Sequence, residues 1–231
     1  MNQNIATELT QFIKESPSAF HAVATMKKEF LNHGFTQLQE NERWNLNAGS
    51  SYFVTRNDSS IIAFTIPENS FDGMRIMASH SDSPSFKIKE NPEMEVEKQY
   101  IKLNVERYGG MIFSPWFDRP LSVAGRVIIK NPSTGKLESR LVNVDRDLVM
   151  IPNLAIHMNR EVNNGYKYNA QKDMLPLYGM STAKDTFMQT IAEAAGVSVD
   201  DILGHDLFLY NRERASIWGA SEEFVSAPQL D

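Results

Sequence analysis

Apolar positions change period twice along this chain. Ile5, Leu9, Phe12 and Ile13 recur at helical spacing, and the pattern predicts a short amphipathic helix. Ser16-Pro17-Ser18 interrupts it and offers a new N-cap. Phe20, Val23, Met26, Phe30 and Leu31 then line one face of a longer helix that Gly34 closes. Residues 51–56 and 60–66 read as two strands joined by an Asn57-Asp58 turn. The stretch Met74-Arg75-Ile76-Met77-Ala78 reads as an apolar strand, and it runs into the polar turn Ser79-His80-Ser81-Asp82-Ser83-Pro84. Beyond Pro84 the pattern turns to strands. Residues 86–89, 94–97, 100–105, 123–129 and 137–144 are candidates, with Ile101, Leu103 and Val105 alternating against Lys102, Asn104 and Glu106. A helix is expected over 183–195, closed by Gly196, and a strand over 206–211. Helices, hairpin and strand followed by a β-rich block predict an α/β fold in which a β-rich second domain is inserted into the first.

The composition, 42% hydrophobic and 23% charged in 231 residues, is that of a globular chain with a sizeable core. A net charge of -6 without a Lys/Arg run excludes nucleic acid as the main partner. No window approaches a membrane span, and the start, Met1-Asn2-Gln3-Asn4, carries no secretory signal. With no cysteine, disulfides and thiolate metal sites are out, which fits a reducing cytoplasm, and a metal would have to be held by His, Asp and Glu. Asn131 to Lys136 ends in Gly135-Lys136, but the upstream glycine of a phosphate loop is missing and Leu137 stands where Ser or Thr is required. No Gly-x-Ser-x-Gly elbow occurs either.

His80 is the residue most suggestive of chemistry. A histidine at a strand's mouth with Asp82 two positions on suits a metal site: one ring nitrogen binds the ion, and the carboxylate takes the proton on the other. Other polar residues read more plainly. His21 falls at a helix start, where a surface or capping role is expected. Asp118 suggests a structural ion pair with Arg119 or another base, with metal or substrate binding as the alternative, His157 among apolar neighbours suggests a satisfied core or interface histidine, and Glu222-Glu223 suggests an exposed turn or helix start.

Five stretches, in order, resemble the aspartyl aminopeptidase family, the M18 zinc aminopeptidases. They are Ser16-Pro17-Ser18-Ala19-Phe20-His21-Ala22-Val23; Ala78 to Pro84; Trp116-Phe117-Asp118-Arg119-Pro120-Leu121 with Ala124-Gly125-Arg126-Val127; Ile151-Pro152 to His157; and Asp206-Leu207 through Pro228-Gln229-Leu230-Asp231. The resemblance covers the family's amino-terminal half. It implies a mixed-sheet di-zinc catalytic domain, here incomplete (residues 1–88 and 221–231), with an inserted β-rich assembly domain (residues 89–220). It implies two zincs per complete site, a peptide substrate that loses an amino-terminal residue, acidic by the family's name, and a homo-oligomer built from dimers, up to a dodecamer. By position His80 is similar to a zinc ligand, Asp82 to the carboxylate that orients it, and Asp231 to the aspartate that bridges the metals. His157 is similar to an assembly-domain histidine that reaches a neighbouring subunit's active site to meet the oxyanion or, less in keeping with the pattern, the metals. Glu222-Glu223 does not align with the family's glutamate pair, which lies farther on, together with the remaining ligands. A chain lacking those ligands is expected to hold zinc poorly, to expose apolar surface and an uncovered sheet edge, and to associate. A non-catalytic half-chain serving as an assembly module is the rival expectation.

Overall fold

The structure, a computed structural model, describes residues 3–229, and these divide into two compact units that meet at Ser83 and Pro84.

In the first unit, α1 (Gln3–Glu15) and α2 (Ala19–Asn32) precede β1 (Thr36–Leu38), β2 (Ser51–Arg56) and β3 (Ser60–Thr65). Ser18 caps α2 through its hydroxyl, which accepts from the His21 backbone N–H. At the other end Gly34 takes φ +79°; its N–H bonds Leu31 O (3.1 Å) and that of Phe35 bonds Phe30 O (2.9 Å). This is a Schellman closure, sealed by the Phe30 and Phe35 rings 4.9 Å apart. The helix buries Phe20, Ala22 and Val23, and Tyr52, Phe53 and Val54 of β2 are buried with them. β2 and β3 form an antiparallel hairpin in register from Ser51↔Thr65 to Arg56↔Ser60. Asn57 and Asp58 both take positive φ (53° and 51°), so the turn twists as tight hairpins require. β1, too short for its periodicity to stand out in the sequence, adds parallel to β2.

The expected strand over 74–78 does not form. Met74, Ile76 and Met77 are 77%, 82% and 98% exposed, and the segment joins no ladder among the described residues. The pattern is apolar on both faces, which is that of a strand flanked and covered on both sides. A three-stranded sheet ordered β1-β2-β3 gives it no such place.

The second unit is built on one antiparallel sheet, β7-β6-β9-β4-β5-β8. Its strands are β4 (Ser85–Val96), β5 (Tyr100–Tyr108), β6 (Leu121–Lys130), β7 (Leu137–Asn143), β8 (Leu177–Met180) and β9 (Ile202–Asn211). The two short candidates at 86–89 and 94–97 are one strand, β4, interrupted by a bulge between Ile88 and Glu93. Phe86, Ile88, Leu103, Val105, Val123, Val127, Leu207 and Leu209 form the inner face, and α3 (Phe187–Ala195) packs on it through Phe187 and Ile191. α3 starts four residues later than its pattern suggests because 181–183 coil as a 3₁₀ turn. Gly125 is required where β6 meets β9, since a Cβ there would collide with Asp206 O. A small hairpin, β10 (Ser216–Trp218) and β11 (Phe224–Ser226), follows. No helix among the described residues is long and apolar enough to cross a membrane.

Candidate metal and catalytic residues

His80 and Asp82 lie on the exposed segment after Met77. The His80 ring is turned so that Nδ1 is 2.8 Å from the Asp82 carbonyl oxygen and 3.2 Å from Asp82 Oδ1. Both neighbours are acceptors, so Nδ1 carries the proton and Nε2 is the nitrogen suited to a metal. The loop is anchored by Ser81, whose hydroxyl donates to Ser59 O (2.8 Å) beside the β2–β3 turn. The carboxylate beside the imidazole is the arrangement that the His-x-Asp spacing suggests, formed without a strand to carry it.

His157 occupies an exposed loop of the second unit, within the turns between Ala155 and Arg160. Of the two expectations, core or interface, this overturns the core one: the apolar neighbours Leu154, Ile156 and Met158 are themselves 52%, 46% and 74% exposed. Asp231 lies outside the described residues. Glu222 and Glu223 sit in the turn of the β10–β11 hairpin, where Glu223 Oε2 accepts from Ser221 N (2.7 Å) and Glu222 takes φ 55°.

Asp118 does not pair with Arg119. It takes φ 57°, its N–H bonds Ile151 O (2.9 Å), and its carboxylate accepts from Asn153 N (2.9 Å). Arg119 is paired with Glu213. A reversed backbone aims the two adjacent side chains apart, so Asp118 fastens the 151–153 segment to the sheet. His21 is half-buried with Nδ1 2.8 Å from Ser18 Oγ, and burial lowers its pKa to about 4. It is a neutral part of the α2 cap.

One ionic cluster was not foreseen from the sequence. Asp206 on β9 meets Lys87 Nζ at 2.9 Å and Arg126 Nη2 at 3.0 Å. Burial works to raise the Asp206 pKa, but the hydrogen bonds from Lys87 and Arg126 outweigh it and hold the carboxyl below its usual range. The partners are 119 and 80 positions away in sequence respectively only through sheet pairing, which spacing cannot reveal.

Among the described residues, no three His, Asp or Glu side chains come together as a metal site. A catalytic zinc takes about three protein ligands. The residues on hand therefore fit one ligand position and its orienting carboxylate, and do not by themselves complete a zinc centre.

The chain's mixed α/β fold, carrying a His-x-Asp pair, agrees with the resemblance to a zinc aminopeptidase family. Its family is specific: residues 12–231 match the aminopeptidase I zinc metalloprotease (M18) family, and the chain belongs to it. It is 47% identical over 232 residues to the probable M18 family aminopeptidase 2 of Clostridium novyi, covering 98% of this chain and 54% of that protein. The corresponding protein of Pseudomonas paraeruginosa is 38% identical over 239 residues, with 100% and 55% covered. Among solved structures, Ape4 in its complex with Nbr1 superposes with a TM-score of 0.92 at 34% identity, over 98% of this chain and 47% of that one. Mature Ape1 of Chaetomium thermophilum gives 0.88 at 31% identity, with 96% and 54% covered. The chain thus spans about half the length of the relatives it matches.

Proposed function

We propose that this chain supplies part of the zinc site and the assembly domain of an M18 aminopeptidase, which removes an amino-terminal residue from peptides. The observation that carries the reading is the His80–Asp82 pair, with the imidazole Nδ1 held 3.2 Å from the carboxylate in a family defined by zinc proteolysis. In this reading His80 is a zinc ligand through Nε2, Asp82 fixes its tautomer, and Asp231 is a bridging carboxylate. Zinc supplies Lewis-acid polarisation and an activated water when bound. A complete site would hold two zincs, with the further ligands drawn from the portion of the relatives that this chain does not span. His157, presented on an exposed loop, is a donor toward the oxyanion in a neighbouring subunit. A preference for acidic amino-terminal residues follows the family resemblance alone, and a cytoplasmic setting follows the cysteine-free composition.

Residues 1–88 and 221–231 form the catalytic part in this proposal, and 89–220 the assembly part of a homo-oligomer. A yeast relative, mature Ape1 of S. cerevisiae as a dodecamer, shares the fold with a TM-score of 0.80 at 25% identity, which supports assembly from copies. The test is His80→Ala in the zinc-loaded enzyme. Loss of zinc together with at least 100-fold in turnover supports the ligand role; unchanged zinc content overturns it.

One observation favours a second reading. Because the described residues gather no ligand trio, the chain by itself would act as an assembly or interaction module without catalysis. Purified chain that associates but neither holds zinc nor cleaves peptides supports this reading.

A further inference from the structure

The six-stranded sheet ends at β7, and no further strand pairs with it among the described residues. A free strand edge is a template for another strand, and soluble proteins usually blunt it with a proline, a bulge or inward-pointing lysines. β7 has no proline or bulge, and its two charged side chains, Glu138 and Arg140, are of opposite sign: Leu137-Glu138-Ser139-Arg140-Leu141-Val142-Asn143 runs in unbroken register against β6 from Lys130↔Leu137 to Ala124↔Asn143.

Its sequence is self-complementary when reversed. Set two copies antiparallel with Ser139 opposite Ser139, and each Glu138 faces the partner's Arg140 while each Leu137 faces the partner's Leu141. The faces agree as well. Val142 is buried on the inner face, so Glu138 and Arg140 share that side, while Leu137, Ser139 and Leu141 share the outer one. Leu137 and Leu141 are 68% and 40% exposed, so the outer face of this edge presents two large apolar side chains.

We propose that β7 is a homotypic edge, pairing antiparallel with β7 of a second copy about a two-fold axis at Ser139, so that two six-stranded sheets become one. The partner is a second copy because charge and shape complementarity is met by this strand itself: a two-fold interface requires that residue i meet j and j meet i, and Glu138/Arg140 and Leu137/Leu141 both do. Opposed side chains would stand about 4.5–5.5 Å apart at Cβ, within reach of direct contact. Within one copy, Glu138 accepts from Asn131 Nδ2 (2.6 Å) and lies 3.5 Å from Arg140. Arg140 also lines an open groove of about 490 Å³ with Asn131, Glu193 and Asp201, which leaves the guanidinium room to turn to a partner's carboxylate. The inference deepens the homo-oligomer reading above by naming its surface.

The chain contains no cysteine, so an introduced thiol reports one position only. Two opposed cysteines at the two-fold would lie within the roughly 4.4–6.8 Å Cα separation of a disulfide. Ser139→Cys, oxidised mildly, is expected to run as a covalent dimer, while Thr134→Cys in the preceding turn stays monomeric on the same gel. Glu138→Arg and Arg140→Glu, checked for folding by circular dichroism, are each expected to weaken self-association at least tenfold by sedimentation, because each sets like charges opposite. The double exchange, which restores opposite charges, is expected to recover it. If the chain associates but Ser139→Cys does not cross-link, this edge is overturned and the homo-oligomer reading survives. If the unsubstituted chain is monomeric at all concentrations, both fall. Cross-linking with no effect of either charge reversal overturns the register.

Discussion

His21 carries a cost of burial that shows up as acid sensitivity. Its pKa is lowered to about 4 by desolvation, against about 6.5 in an unfolded chain. Between those values the unfolded state binds a proton that the folded state refuses. Stability from this group is therefore full above pH 6.5 and declines as pH falls toward 4, by on the order of 3 kcal/mol. His205, whose pKa burial also lowers despite the nearby Glu90 and Asp206 carboxylates, adds in the same direction. NMR titration is expected to find the His21 ring neutral at pH 5.5; an inflection near 6.5 would contradict its burial. Asp206 gives a second prediction. Asp206→Asn removes the carboxylate from Lys87 and from the nearly buried Arg126, and is expected to cost about 1.5–3 kcal/mol in urea unfolding. A loss under about 0.5 kcal/mol would mean the cluster is solvated.

Elements differ in how plainly their sequences announce them. The β2–β3 hairpin was legible because Asn57-Asp58 tolerates positive φ between two β-branched runs, and α2 because Ser18 and Gly34 bracket its apolar face. β1 was not legible, since three residues carry no period, and its parallel pairing depends on β2 lying beside it. Residues 74–78 depart from the expectation because an apolar run reports what a strand would bury, not whether a neighbour is present to bury it. His80–Asp82 survived that error, as a turn of two residues needs no sheet to bring its groups together. The Arg126–Asp206 pair, joined across β6 and β9, and the carboxylate of Asp118, reversed by its φ, depend on tertiary structure that no local pattern contains. Two tests belong at this scale. Gly125→Ala, colliding with the β9 backbone, is expected to cost about 3 kcal/mol. The exposed run through Met74, Ile76 and Met77 is expected to be cut first in limited proteolysis and to bind an apolar dye, with Ile76→Ser reducing the dye signal. A protected segment would show that another surface covers it.

At the scale of the molecule, membership of the M18 family and the half-length match make the same point from different directions. The fold of the relatives is present over nearly all of this chain, yet the described residues bring no group of three metal-ligating side chains together. The family is established by the match over residues 12–231, and the His80 portion of a zinc site and the assembly unit belong to the proposal. The most direct test is zinc per chain, measured with aminopeptidase turnover, on purified 231-residue material and its His80→Ala variant. The account predicts that the zinc the chain holds is lost in His80→Ala. Two tightly held zincs with turnover, unchanged by His80→Ala, would contradict it.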